Sequence, residues 1–271
     1  MVQLIIFTDL DGTLLDLKTY SYQAALPALD YLREKGVPVV FCSSKTRAEQ
    51  EYYRRKLRVN APFIVENGGA VVIPERYFTR EFPYQRAENS YRIIVLGVPY
   101  AEIRRKLAEI RTASGVNFRS WGDMTDAEVA EITGLDIGMA RLARRREYSE
   151  TLFLENGAGV AELSAAVSKA GLYLTPGSRF HTVTGAHDKG TAVKALTALF
   201  GESRGPVTTV GIGDGPNDGP MLTDVDIPLL VQRPDGRWSD VTVSDLQRID
   251  GIGPEGWTKA VREQVAPLIK T

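Results

Sequence analysis

Residues 7–15 read F-T-D-L-D-G-T-L-L and follow an apolar run at residues 4–7. The run predicts a buried strand, and Asp9 and Asp11 come at its carboxyl end, where open α/β sheets form their active sites. Because side chains alternate along a strand, these two carboxylates point the same way and can face one reacting atom. Gly12 permits a tight turn after them. The segment therefore predicts a catalytic strand end rather than an acidic turn without chemistry.

Polar residues follow in three further places, each at a predicted strand end or helix start. An apolar strand over residues 37–41 leads to Ser43 and Ser44, whose hydroxyls can donate to a phosphate oxygen. A helix predicted from Lys189 begins with D-K-G, and its lysine offers a point charge to phosphate. An apolar strand over residues 207–212 ends in G-D-G-P-N-D, which contains Asp214, Asn217 and Asp218.

These segments, in this order, resemble motifs I to IV of the haloacid dehalogenase-like (HAD) phosphohydrolases. The resemblance implies that Asp9 attacks phosphorus and forms an aspartyl-phosphate. It implies that Asp11 protonates the leaving oxygen and then activates the water that releases phosphate. It also implies a Mg²⁺ cofactor, whose oxygen ligands come from Asp9, the main-chain carbonyl of Asp11, and Asp214.

The remaining motif residues receive supporting roles from the same resemblance. Ser43, Ser44 and Lys189 are expected to grip the phosphate oxygens. Asp218 is expected to orient Lys189 or a metal-bound water, and Asn217 is expected to support the metal loop. Each motif alone is weak, but the full set in the right order makes coincidence a poor explanation.

Composition places the chain among ordinary globular proteins. It has 271 residues, of which 43% are hydrophobic and 25% charged, and its formal net charge is −1. A near-neutral chain has no overall basic field for nucleic acid or an anionic membrane, so neither is expected as a partner. No apolar stretch approaches membrane-spanning length, no secretion signal is visible, and the single cysteine, Cys42, excludes an internal disulfide. A cytoplasmic setting is expected, and the oligomeric state stays open.

Strands and helices alternate over residues 3–65 and again from residue 188, which predicts a Rossmann-like parallel sheet covered on both faces. A block of about a hundred residues separates these halves and predicts an inserted α/β domain. Among HAD proteins this insert resembles the large cap of the C2 type. The expected division is a core domain and a substrate-specificity cap, with the core at 1–84 and 187–271 and the cap at 85–186.

Three groups of residues are candidates for substrate contact, and each has a structural alternative. The first is the turn Asn67-Gly68-Gly69, which forms either an ordinary hairpin or a polar rim of the cleft. The second is a charged run that forms either a solvated helix face or a clamp for an anion, with Arg141 and Arg144. The third is a loop that is either an ordinary hairpin or a further substrate contact, with Arg179 and His181.

Short segments narrow the resemblance to HAD phosphatases that act on a small phosphorylated sugar-glycerate. They read R-R-R-E-Y-S-E at 144–150, G-S-R-F-H at 177–181 and G-P-E-G-W at 253–257. Such a substrate carries a carboxylate beside its phosphate, which gives the arginines a ligand. Phosphatases for sucrose phosphate or trehalose phosphate, and a phosphomannomutase, remain alternatives, and the choice between a mannosyl and a glucosyl substrate stays open. A signalling receiver is disfavoured because it needs neither Asp11 nor so large an insert.

Overall fold

The computed structural model describes residues 3–154, 159–175 and 180–269 of the chain. The chain divides into two units. The first unit comprises Met1–Ser44, Tyr53–Val95 and Asp188–Thr271, and the second comprises Lys45–Tyr52 and Leu96–His187.

A parallel sheet of five strands forms the centre of the first unit. Across the sheet the strands lie in the order β13 (Gln247–Ile252), β12 (Ile227–Gln232), β11 (Val207–Gly213), β1 (Gln3–Thr8) and β2 (Val39–Phe41). Ile5, Ile6 and Phe7 in β1 have no exposed surface, so both faces of this strand are covered. The predicted α/β fold with a parallel-sheet core is confirmed. Since the strands are parallel, their carboxyl ends share one edge of the sheet.

Five helices belong wholly or partly to this unit, namely α1 (Leu26–Glu34), α2 (Arg47–Leu57), α7 (Lys189–Arg204), α8 (Gly219–Thr223) and α9 (Gly253–Ala260). Of these, α7, α8 and α9 pack against the sheet. The predicted core helix from Lys189 is confirmed in α7, which buries one apolar stripe made of Ala192, Val193, Leu196 and Phe200. The first residue of α7, Lys189, contacts Asp9, so the helix begins at the carboxyl edge of the sheet.

A smaller antiparallel sheet completes the first unit, in the order β3 (Phe63–Val65), β4 (Ala70–Pro74), β6 (Tyr91–Val95) and β5 (Arg86–Glu88). A parallel bridge between Cys42 and Ile64 joins β3 to the segment that follows β2. Residues 85–95 were predicted to belong to the insert, whereas the structure places them in the first unit, where β6 pairs with β4 and β5 pairs with β6. Ile93 explains the difference, because it is fully buried opposite Val72.

The second unit is built on an antiparallel sheet of four strands, in the order β7 (Arg119–Ser120), β8 (Ser149–Phe153), β10 (Phe180–Thr184) and β9 (Tyr173–Thr175). Its further helices are α3 (Tyr100–Ser114), α4 (Asp126–Thr133), α5 (Ile137–Ala143) and α6 (Val160–Lys169). One apolar cluster joins α3 and α6 to Leu152 and Val183 of the sheet. A second joins α4 and α5 to Phe153 and Phe180. Since side chains alternate along a strand, the two clusters lie on opposite faces of this sheet.

Two local features of the second unit concern helix starts. The helix α4 begins with a capping box, in which Thr125 and Glu128 exchange hydrogen bonds. The first half of α2 also belongs to this unit, although the sequence analysis assigned it to the core. Thr46 Oγ1 donates to the main-chain oxygen of Leu142 at 2.9 Å, and Arg47 Nε lies 2.8 Å from Glu147 Oε1. Sequence patterns do not reveal such contacts between segments far apart in the chain.

The segment G-P-E-G-W begins α9 and buries Trp257 completely. The indole Nε1 donates a hydrogen bond to Thr8 Oγ1 at 3.0 Å, and the Thr8 hydroxyl donates to the main-chain oxygen of Asp9 at 2.8 Å. A buried donor and a buried hydroxyl are thereby satisfied together. The sequence resemblance links this segment to a substrate class, and the structure gives it a role in fixing the end of β1.

No helix among residues 3–154, 159–175 and 180–269 combines the length and the apolar character that a membrane crossing requires.

The turn between β3 and β4 has an uncommon backbone. Glu66, Asn67 and Gly68 have φ angles of 50°, 57° and 97°, all in the left-handed region that favours glycine. A Cβ on Gly68 would lie only 2.0 Å from the main-chain oxygen of Asp188, the residue before α7. The turn therefore presses against the start of α7, and only glycine fits at position 68.

We expect Gly68→Ala to destabilise the protein far more than the matched change Gly36→Ala. Gly36 also has a positive φ, 66°, but open space surrounds its Cβ position. Alanine at position 36 should lower the free energy of unfolding only by the strain of its left-handed backbone, about 1–2 kcal/mol. At position 68 the collision of the added methyl group with Asp188 contributes about 1–3 kcal/mol more. Urea unfolding followed by circular dichroism measures both losses, and equal losses would contradict this packing.

Candidate active site

One pocket collects residues from several strand ends of the parallel sheet. Asp9 and Asp11 follow β1, Ser44 follows β2, Asp214 follows β11, and Arg233 follows β12. The pocket has a volume of about 210 Å³, and its lining is completed by Leu17, Gly215, Pro216 and Asn217. Carboxylates, a hydroxyl and a guanidinium group meet there at the carboxyl edge of the sheet, which is the usual place for a ligand in such folds.

The ammonium group of Lys189 lies between two carboxylates beside this pocket. Its Nζ is 2.6 Å from Asp9 Oδ1 and 2.6 Å from Asp218 Oδ1. All three side chains are buried, with 5% or less of each exposed. Burial lowers the pKa of Lys189, but the charges of Asp218 and Asp9 outweigh it, so the pKa lies above the ordinary lysine value. Lys189 is therefore charged and fixes the orientation of Asp9.

Asp218 connects Lys189 to the loop after β11. Its Oδ2 accepts hydrogen bonds from the main-chain nitrogens of Asp214 at 2.9 Å and Gly215 at 3.0 Å, while its Oδ1 contacts Lys189. Gly213 leaves the space for this arrangement, because a Cβ there would lie 2.6 Å from the Asp218 carboxyl group. One carboxylate thus holds both the lysine and the loop that carries Asp214.

Three carboxylates are close enough to hold a metal ion. Oxygens of Asp9, Asp214 and Asp218 all lie within 4.8 Å of one another. The sequence analysis expected Asp9, Asp11 and Asp214, with Asp11 acting through its main-chain carbonyl. Since both oxygens of Asp218 already accept hydrogen bonds, its carboxylate is better suited to orienting neighbours than to binding a cation. An oxygen-only, negatively charged site of this kind suits Mg²⁺.

The electrostatics of the site agree with a bound cation. Burial raises the pKa of Asp9 well above its usual value, and the charges of Asp218, Asp214 and Asp11 add to this against the opposing effect of Lys189. Burial, together with the charge of Asp218, raises the pKa of Asp214 to about 7. Crowded, buried carboxylates hold their protons in this way until positive charge is supplied.

The two serines after β2 lie in different surroundings. Ser44 lines the pocket. Ser43 is wholly buried; its main-chain nitrogen donates to Ile64, and its main-chain oxygen accepts from Asn67 at 3.0 Å. The structure therefore brings Ser44 to the pocket wall and fixes Ser43 between β2, β3 and the turn that follows.

The segment Asn67-Gly68-Gly69 is a hairpin turn between β3 and β4 that also supports the site. Gly68 packs against Asp188, which caps α7 by accepting a hydrogen bond from the nitrogen of Thr191 at 2.7 Å. The Oδ1 atom of Asn67 is buried, with no hydrogen-bond partner among the described residues. The turn thus connects the segment after β2 with the helix that begins at Lys189.

The two cap arginines singled out from the sequence are engaged within the second unit. Arg141 Nε lies 2.8 Å from Asp126 Oδ2, and Arg144 Nη1 lies 2.5 Å from Asp126 Oδ1. Arg144 Nε also donates to the main-chain oxygen of Trp121 at 3.2 Å. Both guanidinium groups share the single carboxylate of Asp126 at the start of α4, and their role as an anion clamp stays a prediction.

Of the other two cap candidates, Arg179 and His181, the structure describes only His181. Arg179 lies outside the described residues. His181 is buried in β10, opposite Leu152, and shares a sheet face with Val183 of the apolar cluster under α3 and α6. Its Nδ1 atom has no hydrogen-bond partner among the described residues.

Sequence reasoning missed Arg233. The residue comes directly after β12, which neighbours β11 in the sheet. Residues 227–231 read I-P-L-L-V, an apolar run that predicts a strand, and a charged residue just past its end is a usable signal. The rule that identifies Asp9 and Asp214 at the ends of their strands applies equally to the end of β12.

Comparisons with known proteins agree with this fold. The haloacid dehalogenase-like hydrolase family matches residues 6–95. A glucosyl-3-phosphoglycerate/mannosyl-3-phosphoglycerate phosphatase from Methanococcoides burtonii is 44% identical over 263 residues, which cover 96% of this chain and 97% of the relative. A mannosyl-3-phosphoglycerate phosphatase from Pyrococcus furiosus is 44% identical over 227 residues, which cover 84% of this chain and 90% of the relative.

A solved structure supports the fold across nearly the whole chain. The HAD phosphatase BT1666 from Bacteroides thetaiotaomicron superposes with a TM-score of 0.65 at 20% identity, covering 97% of this chain and 94% of its own. The chain belongs to the haloacid dehalogenase-like hydrolases and, within them, to the family of the glucosyl- and mannosyl-3-phosphoglycerate phosphatases.

In the metal-free protein, we expect the free energy of unfolding to fall as the pH rises from about 4 to about 7, because Asp214 loses its proton over this range. Its folded-state pKa of about 7 exceeds the ordinary 3.8, so the folded protein binds this proton more tightly than the unfolded chain does. The stabilisation is complete below the lower value and is lost above the higher one. Thermal unfolding between about pH 5 and pH 8 measures this slope.

The variant Asp214→Asn is the control for that series, since it keeps the shape of the side chain and removes the proton. Its stability should depend less on pH than that of the wild type. Mg²⁺ should flatten the wild-type slope, because a cation binds the ionised carboxylates preferentially. Identical slopes for wild type and Asp214→Asn would contradict the raised pKa.

Proposed function

We propose that the protein is a Mg²⁺-dependent phosphatase that hydrolyses mannosyl-3-phosphoglycerate to mannosylglycerate and phosphate. The observation that carries the proposal is the placement of Asp9, which is held by Lys189 in a pocket that Asp11, Ser44 and Asp214 also line. The identity of 44% to phosphatases with this named activity supports the choice of substrate.

In the first chemical step, the carboxylate of Asp9 forms a bond to phosphorus while the bond from phosphorus to the glycerate oxygen breaks. Because Lys189 binds Oδ1 of Asp9, we assign the attack to Oδ2. Asp11 gives its proton to the departing oxygen, so mannosylglycerate leaves as a neutral alcohol at that position. The product on the enzyme is an aspartyl-phosphate.

In the second step, water attacks the same phosphorus and the bond to Asp9 breaks. Asp11, now a carboxylate, takes the proton of that water, which restores both aspartates and releases phosphate. The hydroxyls of Ser43 and Ser44 and the charge of Lys189 are assigned to the phosphate oxygens. In both steps the negatively charged phosphoryl group lies among carboxylates. Positioning of the reacting groups and compensation of this negative charge therefore dominate the catalysis.

The residues present fit a divalent cation at this site, because the donor set consists of oxygens and the carboxylates carry raised pKa values. We assign Asp9, the main-chain carbonyl of Asp11, and Asp214 as the groups that would hold Mg²⁺. When bound, the ion neutralises phosphate charge and helps to orient the ester. Asp218 and Asn217 are assigned to the support of the loop around it.

A glucosyl substrate is the second candidate, because the Methanococcoides burtonii relative is named for both the glucosyl and the mannosyl compound. The two sugars differ only in the orientation of one hydroxyl, and neither the phosphate nor the glycerate changes. We place the reaction in the cytoplasm, since a multiply charged sugar phosphate does not cross a membrane unaided.

The test compares phosphate release from mannosyl-3-phosphoglycerate, glucosyl-3-phosphoglycerate, sucrose phosphate and trehalose phosphate in the presence of Mg²⁺. We expect the highest kcat/KM for one of the two glycerate compounds. Asp9→Asn should keep the fold and lose at least about a thousandfold in kcat, because an amide does not attack phosphorus. Rapid quenching of the wild type with labelled substrate should trap phosphate on the protein.

Two results would overturn the proposal. A preference for sucrose phosphate or trehalose phosphate would reject the assigned substrate while keeping the mechanism. Wild-type turnover by a correctly folded Asp9→Asn protein would reject the mechanism itself.

A further inference from the structure

Arg233 is presented to the pocket by a rigid turn at the end of β12. The turn is held by Arg233 N donating to Arg237 O at 2.9 Å and by Gly236 N donating to Arg233 O at 2.8 Å. The side chain of Gln232 closes it from both sides, donating to Gly236 O at 2.7 Å and accepting from Gly251 N at 2.7 Å. Pro234 further restricts the backbone of the residue before it. The base of the Arg233 side chain is therefore fixed.

The charge of Arg233 is uncommitted. Across residues 3–154, 159–175 and 180–269, its guanidinium group makes no ion pair and no hydrogen bond. Arg141 and Arg144, by contrast, are both committed to Asp126. Arg233 lines the same pocket as Asp9, Asp11 and Asp214. An uncommitted cation in the wall of a pocket is suited to a ligand that carries its own negative charge.

The catalytic carboxylates do not account for this cation. Asp9 and Asp218 share the buried charge of Lys189 at 2.6 Å, whereas Arg233 is exposed and forms no ion pair with a carboxylate among the described residues. The proposed substrate carries two separate anionic groups, the phosphate on one end carbon of glycerate and the carboxylate on the other. When the phosphate lies against Asp9, the carboxylate must lie a few bonds away, on the leaving group.

We propose that Arg233 binds the glycerate carboxylate of the substrate and so determines specificity for phosphoglycerate esters. The proposal rests on the proposed function, since only a glycerate leaving group supplies the carboxylate. A planar guanidinium group matches a carboxylate with two parallel hydrogen bonds, which fixes the leaving group as well as attracting it. The residue contacts the part of the substrate that departs, and the chemistry at phosphorus stays with the aspartates.

The kinetic test uses Arg233→Ala, Arg233→Lys and the control Arg237→Ala, which removes another exposed arginine from the same turn. Arg233→Ala should lower kcat/KM for mannosyl-3-phosphoglycerate by about ten- to a hundredfold. The same variant should lose far less kcat/KM on p-nitrophenyl phosphate, which has no carboxylate. Arg233→Lys should fall between wild type and Arg233→Ala, since lysine keeps the charge and loses the planar fork. Arg237→Ala should match the wild type on both substrates.

An inhibition measurement isolates the carboxylate from the sugar. 3-Phosphoglycerate and glycerol 3-phosphate carry the same phosphate and differ at the far carbon, which is a carboxylate in one and a hydroxymethyl group in the other. Both compounds are tested as inhibitors of p-nitrophenyl phosphate hydrolysis. The wild type and Arg237→Ala should have a lower inhibition constant for 3-phosphoglycerate than for glycerol 3-phosphate. Arg233→Ala should abolish this preference.

Equal losses of Arg233→Ala on both esters would overturn the inference, since Arg233 would then act on the phosphate or on the aspartates. An unchanged preference for 3-phosphoglycerate would overturn it as well. Both results leave the proposed function intact if the wild type hydrolyses mannosyl-3-phosphoglycerate. A wild type that rejects every glycerate ester would remove the proposed function and this inference together.

Discussion

The buried ammonium group of Lys189 is the interaction on which the site depends. Three aspartates with oxygens within 4.8 Å of one another would repel strongly in a site shielded from water. Lys189 contacts two carboxylates, those of Asp9 and Asp218, at 2.6 Å each. A buried charge is tolerated only when it is paired and hydrogen-bonded, and here each member satisfies the others. The arrangement keeps Asp9 oriented while the remaining negative charge is left for a cation.

The rest of the core is arranged so that this contact can form. The strands β1 and β11 are neighbours and deliver Asp9 and Asp214 to the same edge. The turn at Gly68 presses against Asp188 and so fixes where α7 begins. Trp257 fixes the end of β1 through its hydrogen bond to the hydroxyl of Thr8. Segments from the start, middle and end of the chain thus position the groups that contact Lys189.

Much of this core could be predicted from the sequence because the signals are local. Apolar runs marked the strands β1, β2 and β11, and motif residues stand at the ends of all three. The strand β13 was missed because its sequence Q-R-I-D-G-I exposes most of its residues and carries no continuous apolar run. The catalytic and binding roles given to the motif residues remain predictions, to be decided by kinetics.

The substrate contacts could not be predicted in the same way. Arg141 and Arg144 looked available from the charge pattern, but Asp126, distant in sequence, lies beside them in the fold. Arg233 stands alone in the sequence and gained significance only from the pocket that it lines. Local patterns identify charged residues, whereas three-dimensional contacts decide which charges are already neutralised.

The most direct measurement of the central claim is a double-mutant cycle on the free energy of unfolding, with Lys189→Met, Asp9→Asn and the double variant, all free of metal. Lys189→Met alone should lose about 3–5 kcal/mol, because it leaves buried carboxylates uncompensated. Adding Asp9→Asn should recover at least ~1 kcal/mol of that loss, since it removes one of the repelling charges. If the double variant instead loses the sum of the two single losses, Lys189 does not act by neutralising Asp9, and the account fails.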